Sequence, residues 1–257
     1  MQQFREFAGR LADASRACIH AMNQEAFQII KKGDGSPVTA VDRATEDCIR
    51  ELIAAEMPDH GITGEERGDT STDAEFVWVI DPIDGTLPFL ANLPVFGTLI
   101  ALLHNGNPVL GVIDMPSTQE RWIGCAGEPT TRNGEPVHTR ACEDLSTALL
   151  STSNPDFYDA SEFQAFERLK AKVRWNVYGG SCMAYAQIAT GRIDVGVDVA
   201  FDIHDYLALV PVIQGAGGTI TDWEANPLTL KSGGRLIAAG DPRMHEQALE
   251  IISASTG

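Results

Sequence analysis

The chain has 257 residues, 44% of them apolar and 21% charged, with a formal net charge of −17. Such a length can bury a large core, either in one domain or in two intimate halves. The acidity argues against nucleic acid and anionic membrane as partners, yet it leaves room for a small phosphorylated substrate, because bound cations reverse the local field.

Residues 3–31 place Phe4, Phe7, Leu11, Ala14, Cys18 and Met22 at helical spacing, which predicts a long amphipathic helix. The run Lys32-Gly33-Asp34-Gly35-Ser36-Pro37 breaks the pattern and reads as a mobile loop. Residues 38–55 restart a helix, with Thr39 or Asp42 near its beginning and Met57-Pro58-Asp59-His60-Gly61 as its stop. Strands are expected near 61–63, over 76–80 and over 97–103. The turn Asn105-Gly106-Asn107-Pro108 then returns the chain through 109–113, and 121–124 with the turn Arg132-Asn133-Gly134-Glu135 extends an antiparallel pattern. Beyond about residue 141 the elements alternate. Strands are expected at 148–151, 173–178, 195–199, 219–222 and 236–239, and helices at 161–172, 182–190, 205–215 and 244–253. This describes one domain, 1–257, with an N-terminal α+β half (about 1–140) and a C-terminal α/β half (about 141–257).

The five cysteines are scattered and form no C-x-x-C pair, which fits a reducing cytoplasm better than a disulfide framework or a zinc site. No basic start leads into an apolar stretch at the N-terminus, and no run reaches the roughly 18 apolar residues of a membrane span. A cytoplasmic location is therefore expected.

The segment Trp78-Val79-Ile80-Asp81-Pro82-Ile83-Asp84-Gly85-Thr86 carries the strongest chemical signal. An apolar run ends in two aspartates three residues apart, stiffened by Pro82 and followed by Gly85. Carboxylates on a rigid corner suit divalent cations, and backbone N–H groups beyond the bend suit an anion. The competing reading is turn and cap work, which aspartate often does. Glu65, just after a short strand, and Asp205, at the start of a helix, stand where open sheets place ligands. Taken alone, Asp42 reads more readily as a helix N-cap, Lys32 and Asp34 as a polar turn, and Gly179-Gly180-Ser181 as a tight turn or a substrate contact. His204 is a candidate base beside Asp205, although a satisfied histidine is the commoner case.

These motifs resemble the signatures of the inositol monophosphatase superfamily. Gly64-Glu65-Glu66 with Asp81-Pro82-Ile83-Asp84-Gly85-Thr86 is similar to the first. Asp205-Tyr206-Leu207-Ala208 leading to Gly215-Ala216-Gly217-Gly218 is similar to the second, and Lys32–Asp34 with Ser36–Asp42 resembles the N-terminal loop and helix start. Within the superfamily, the runs Phe96–Leu103, Gly111–Asp114, Glu120–Gly124 and Leu207–Ile213 look most like histidinol-phosphate phosphatases.

The resemblance implies an α/β (α+β) fold, a layered αβαβα sandwich that is usually dimeric and hydrolyses small phosphate monoesters. It implies two or three Mg²⁺ per site, with Mn²⁺ as an alternative. Carried over by position, Glu65, Asp81 and the carbonyl of Ile83 would hold one ion, and Asp81, Asp84 and Asp205 a second. A third would lie near Glu65 and the loop of Lys32 and Asp34. Glu65 and Thr86 would orient the attacking water, Asp42 would support Thr86, and the N–H groups of Gly85 and Thr86 would bind phosphate. Asp198 would contact the alcohol portion of the substrate, with Gly180, Ser181 and Asn92 as weaker candidates. Histidinol phosphate is the favoured substrate. Inositol 1-phosphate or a range of sugar phosphates is the alternative, and a catalytically silent metal-binding protein is the rival from another class.

Overall fold

The computed structural model describes residues 1–22, 29–31 and 37–254. Among them the helices are α1 (Gln2–Met22), α2 (Ala40–Glu56), α3 (Thr86–Leu90), α4 (Ala160–Lys170), α5 (Ser181–Ala189), α6 (Ile203–Tyr206), α7 (Leu209–Gly215) and α8 (Pro242–Ser253). They sandwich two sheets to give the layer order helix, sheet, helix, sheet, helix, as the αβαβα expectation requires.

The outer layer is α1 with α2. Phe7, Leu11, Ile49 and Ile53 on their inner stripes meet Trp78, Ile80, Ile100 and Leu102 on one face of the first sheet. Helix α1 is shorter than its sequence pattern suggests. Ile29–Lys31 is a strand paired antiparallel with Pro37–Thr39, because two β-branched residues favour extended backbone over a last helical turn. Helix α2 starts at a capping box. The Thr39 hydroxyl accepts the N–H groups of Val41 and Asp42, and the Asp42 carboxylate accepts the Thr39 N–H in return.

The first sheet runs Glu135–Pro136, Thr131–Arg132, Glu120–Cys125, Asn107–Met115, Gly97–His104, Phe76–Asp84, Gly61–Gly64, Gly68–Thr70 in spatial order. Its pairs are antiparallel except for Gly61–Gly64 beside Phe76–Asp84. Its other face packs Val79, Leu99, Ile113 and Trp122 against α5 and α7.

The second sheet, ordered Trp175–Tyr178, Leu149–Thr152, Val195–Asp198, Leu236–Ala239, Thr219–Asp222, lies on the far side of those two helices. Its outer face receives Phe166 and Leu169 of α4 and Met244 and Ala248 of α8.

The helix expected over 205–215 is instead two helices, α6 and α7, parted at Leu207 and Ala208. Pro211 explains the break: it offers no N–H, and its ring crowds the carbonyl four residues back, at Leu207. Among the described residues no helix is long and apolar enough to cross a membrane.

Candidate active site

The strand expected to end at Ile80 continues to Asp84 through a bulge. Asp81 pairs with Leu99 and Asp84 with Gly97, so three steps on one strand match two on its neighbour. A one-residue slip turns a side chain to the other face of a sheet. The bulge thus brings Asp84 to the side that Asp81 faces, although residues three apart on a regular strand point oppositely. The corner is fixed from within: Ile83 N–H donates to Asp81 Oδ1 at 2.9 Å, and the Thr98 hydroxyl donates to the Pro82 carbonyl at 2.9 Å. Gly85 follows with φ of 79°, a left-handed conformation open to glycine. A Cβ there would also lie 2.7 Å from the Ser181 hydroxyl oxygen.

Carboxylate oxygens of Asp81, Asp84 and Asp205 lie within 4.8 Å of one another. Asp205 arrives from the other half of the chain on α6, where its side chain accepts the Asp202 N–H at 2.6 Å. Asp84 accepts the N–H of Cys182, at the start of α5, at 2.6 Å. Burial raises the pKa of all three, most for Asp81 and Asp205, and the negative charges of their neighbours, Glu65 among them, push the same way. Glu65 is held at the end of its strand by its N–H to the Ile80 carbonyl at 3.2 Å. Its carboxyl group lies within hydrogen-bonding reach of Asp81, an approach that needs a shared proton or a cation between them. Among the described residues no lysine, arginine or histidine forms an ion pair with Asp81, Asp84 or Asp205. Oxygen ligands gathered this closely fit a hard divalent cation.

A cavity of about 570 Å³ opens over this cluster. Its floor is Glu65, Asp84, Gly85, Thr86 and Asp205. Ser153, Asn154 and Ser181 supply polar wall, while Leu87, Pro88, Phe157, Tyr178 and Phe201 make the rest largely apolar. The wall segments begin just beyond the C-terminal ends of strands Phe76–Asp84, Leu149–Thr152, Trp175–Tyr178 and Val195–Asp198.

The profile of the inositol monophosphatase family matches residues 1–256. The chain belongs to the inositol monophosphatase family. It is 44% identical to the bifunctional phosphatase IMPL2, chloroplastic, of Arabidopsis thaliana over 98% of this chain and 75% of that protein. It is 31% identical to a histidinol-phosphatase of Mycobacterium tuberculosis over 89% of each chain. Among solved structures, an inositol monophosphatase from Zymomonas mobilis superimposes with a TM-score of 0.90 at 40% identity, covering 98% of both chains. The family is one of metal-dependent phosphatases, which accords with the acidic cluster.

Not every residue assigned through the family resemblance reaches the cavity. Asp42 is buried and closes on Thr39 through the capping box, with Glu65 near enough to help raise its pKa after burial itself. The Thr86 hydroxyl donates to the Ile83 carbonyl at 3.3 Å. The Gly85 N–H lies near enough to the Asp84 carboxylate to lower its pKa slightly against the effect of burial. Gly180 packs over the first turn of α5, where a Cβ would press on that of Ala184 at 2.8 Å, and neither it nor Asn92 is in the cavity wall. His204 is not there either; both its ring nitrogens are buried without a partner among the described residues, and burial lowers its pKa. Lys32 and Asp34 lie outside the described residues.

Asp198 departs furthest from its expected role. It is 2% exposed and turned inward, where it accepts bonds from Thr152 Oγ1, Ser153 N–H, Ser153 Oγ and Tyr185 OH at 2.7–3.2 Å. Four donors saturate it, which leaves nothing for a ligand and makes it a brace for the Ser153 wall. Burial outweighs these bonds and pushes its pKa up to about 6. The unfolded value is near 3.9, so its contribution to stability is full below about pH 4 and is lost as pH rises through about 6. Wild type is therefore expected to lose up to about 3 kcal/mol more stability than Asp198→Asn across that window, measured by thermal denaturation. Parallel profiles would refute the assignment.

The aromatic wall was not singled out in the sequence. Phe157 closes a 3-10 turn, Tyr178 ends a strand and Phe201 lies in a loop, and only the fold brings them together.

Proposed function

We propose that this phosphatase hydrolyses histidinol phosphate, with Mg²⁺ held by Glu65, Asp81, Asp84, Asp205 and the Ile83 carbonyl. The observation that carries the reading is the cluster of carboxylates, Asp81 buried and Asp84 and Asp205 half-buried, beneath a cavity whose upper wall is aromatic. Bound Mg²⁺ would neutralise the phosphate, lower the pKa of a water and offset charge on the leaving oxygen. The protein's own part is positioning. Glu65, exposed at the cavity floor, takes a proton from the attacking water on its carboxylate. Thr86, tethered to the Ile83 carbonyl, presents its hydroxyl oxygen beside it. Ser181 and the first-turn N–H groups of α3, which have no partner within the helix, border the phosphate. The leaving oxygen takes a proton from solvent, and the alcohol departs toward Phe157, Tyr178 and Phe201.

The wall favours an imidazole over a polyol. Among the described residues, Glu65, Asp84 and Asp205 are the charged ones that line the cavity. The hydroxyls of an inositol ring would need polar partners that Leu87, Pro88 and Phe157 do not offer. A flat ring and an ammonium group gain from aromatic faces through stacking and cation–π attraction. Relatives named inositol monophosphatases set the competing reading.

Phosphate release from both substrates decides between them. Histidinol phosphate is expected to give a kcat/KM at least about tenfold higher, and Tyr178→Ala is expected to raise its KM several-fold, in line with about 1 kcal/mol for one aromatic contact. Faster turnover of inositol 1-phosphate by wild type would overturn the substrate assignment while leaving the phosphatase reading intact.

A further inference from the structure

Helix α2 carries a fully buried glutamate that no step above uses. We infer that Glu46 is a positioning residue for the proposed hydrolysis: its carboxylate fixes the turn after Glu65 and so sets where the Glu65 side chain meets Asp81. The inference rests on the reading of Glu65 as a metal and water ligand.

The Glu46 side chain is 0% exposed and faces that turn. Its Oε2 accepts the Glu66 N–H at 2.7 Å, and its Oε1 accepts the Arg67 N–H at 3.2 Å and the Arg50 Nε–H at 2.6 Å. Arg50, one helical turn along α2, extends the same grip, donating to the Gly68 carbonyl and, at 3.4 Å, to the Thr70 hydroxyl. Gly64 completes the fit. A Cβ there would collide with the Glu46 carboxylate and the Arg50 guanidinium, so a side chain before Glu65 would push this grip aside. From the opposite side, Glu65 N–H bonds the Ile80 carbonyl next to Asp81. Glu65 is therefore clamped between a helix carboxylate and the strand that bears Asp81.

A buried carboxylate is retained only where its lone pairs are satisfied, and every partner that satisfies this one belongs either to the 65–70 turn or to Arg50, which bonds that turn. A group that orients a ligand without touching the metal changes affinity or activity by about 10–100-fold when removed.

The test is Glu46→Gln, which keeps the shape but turns an amide N–H₂ toward one of the donors. Its kcat is expected to fall by about 10–100-fold, with a rise in the Mg²⁺ concentration for half-activation. A readout independent of turnover is the affinity for Mn²⁺ alone, measured by calorimetry or electron paramagnetic resonance, which is expected to fall about tenfold or more. Asp194→Asn is the control. Asp194 is also buried, pairs with Arg140 and accepts the Leu149 N–H, but lies in the other half of the chain. It is expected to lose thermal stability while keeping Mn²⁺ affinity and kcat. If Glu46→Gln does not fold, Arg50→Ala, which removes the outer half of the grip, is expected to weaken Mn²⁺ binding to a smaller degree. The inference is overturned if the folded Glu46 variant, or the Arg50 variant in its place, loses only thermal stability. Wild type that neither binds Mn²⁺ nor releases phosphate would instead sink the reading of Glu65.

Discussion

Asp84→Asn is expected to reduce phosphate release at least about 10³-fold while leaving the fold intact. Losing one carboxylate from a site that clamps charge removes several kcal/mol of transition-state stabilisation, and about 4 kcal/mol corresponds to that factor. The fold should tolerate the change for a specific reason. The amide oxygen of asparagine can still accept the Cys182 N–H that Asp84 accepts at 2.6 Å. The substitution also removes a buried negative charge from beside Glu65 and Asp205. Without added metal, the variant should therefore melt at or above the wild-type temperature. Circular dichroism and thermal denaturation check the fold, and phosphate release checks the chemistry. A variant with near-normal turnover would remove Asp84 from the site, and one that is inactive because it is unfolded would show a bracing role instead.

The part of the site legible in the sequence was the part built locally. Pro82 and Gly85 announce a stiff corner between Asp81 and Thr86, whatever surrounds it. The bulge is not announced, because pairing Asp84 with Gly97 depends on the neighbouring strand. Glu65 and Asp205 became candidates mainly through the family resemblance. Their approach to Asp81 and Asp84 needs the whole sandwich, with Asp205 delivered by a helix that Pro211 separates from the next one. Asp198 shows the limit of reading by position. It ends a strand, where ligands often sit, yet Thr152, Ser153 and Tyr185 arrive from other elements and draw it inward. The aromatic wall shows the converse. Phe157, Tyr178 and Phe201 follow no spacing rule, and side chains 51% and 45% exposed at Phe157 and Tyr178 look like ordinary surface until the cavity between them is seen. The alternation of strands and helices was easier to read, because it is recorded in hydrophobic period, which each segment carries alone, whereas the layer order came from the family resemblance.

Stripping divalent cations with a chelator is expected to bring phosphate release to background and to lower the melting temperature, with Mg²⁺ restoring both. The stability change follows from linkage. A ligand that binds only the folded state at about 100 times its Kd adds about 2.7 kcal/mol, which for a chain of this size corresponds to roughly 5–10 °C. The effect should depend on pH, and its sign is fixed by the carboxylates. Burial first, and then their mutual repulsion, raise Asp81, Asp84 and Asp205 above ordinary values. In the metal-free protein their protonation thus adds stability that is full below the unfolded pKa of about 3.9 and is lost as pH rises through the raised folded values. Metal binding displaces those protons, so Mg²⁺ competes with them and gains as pH rises. The Mg²⁺-induced rise in melting temperature is accordingly expected to be smaller near pH 5.5 than near pH 8, and to shrink at both in Asp84→Asn. Full activity in excess chelator, or a melting temperature indifferent to Mg²⁺ at either pH, would show that the four acidic residues gather for some purpose other than holding a cation.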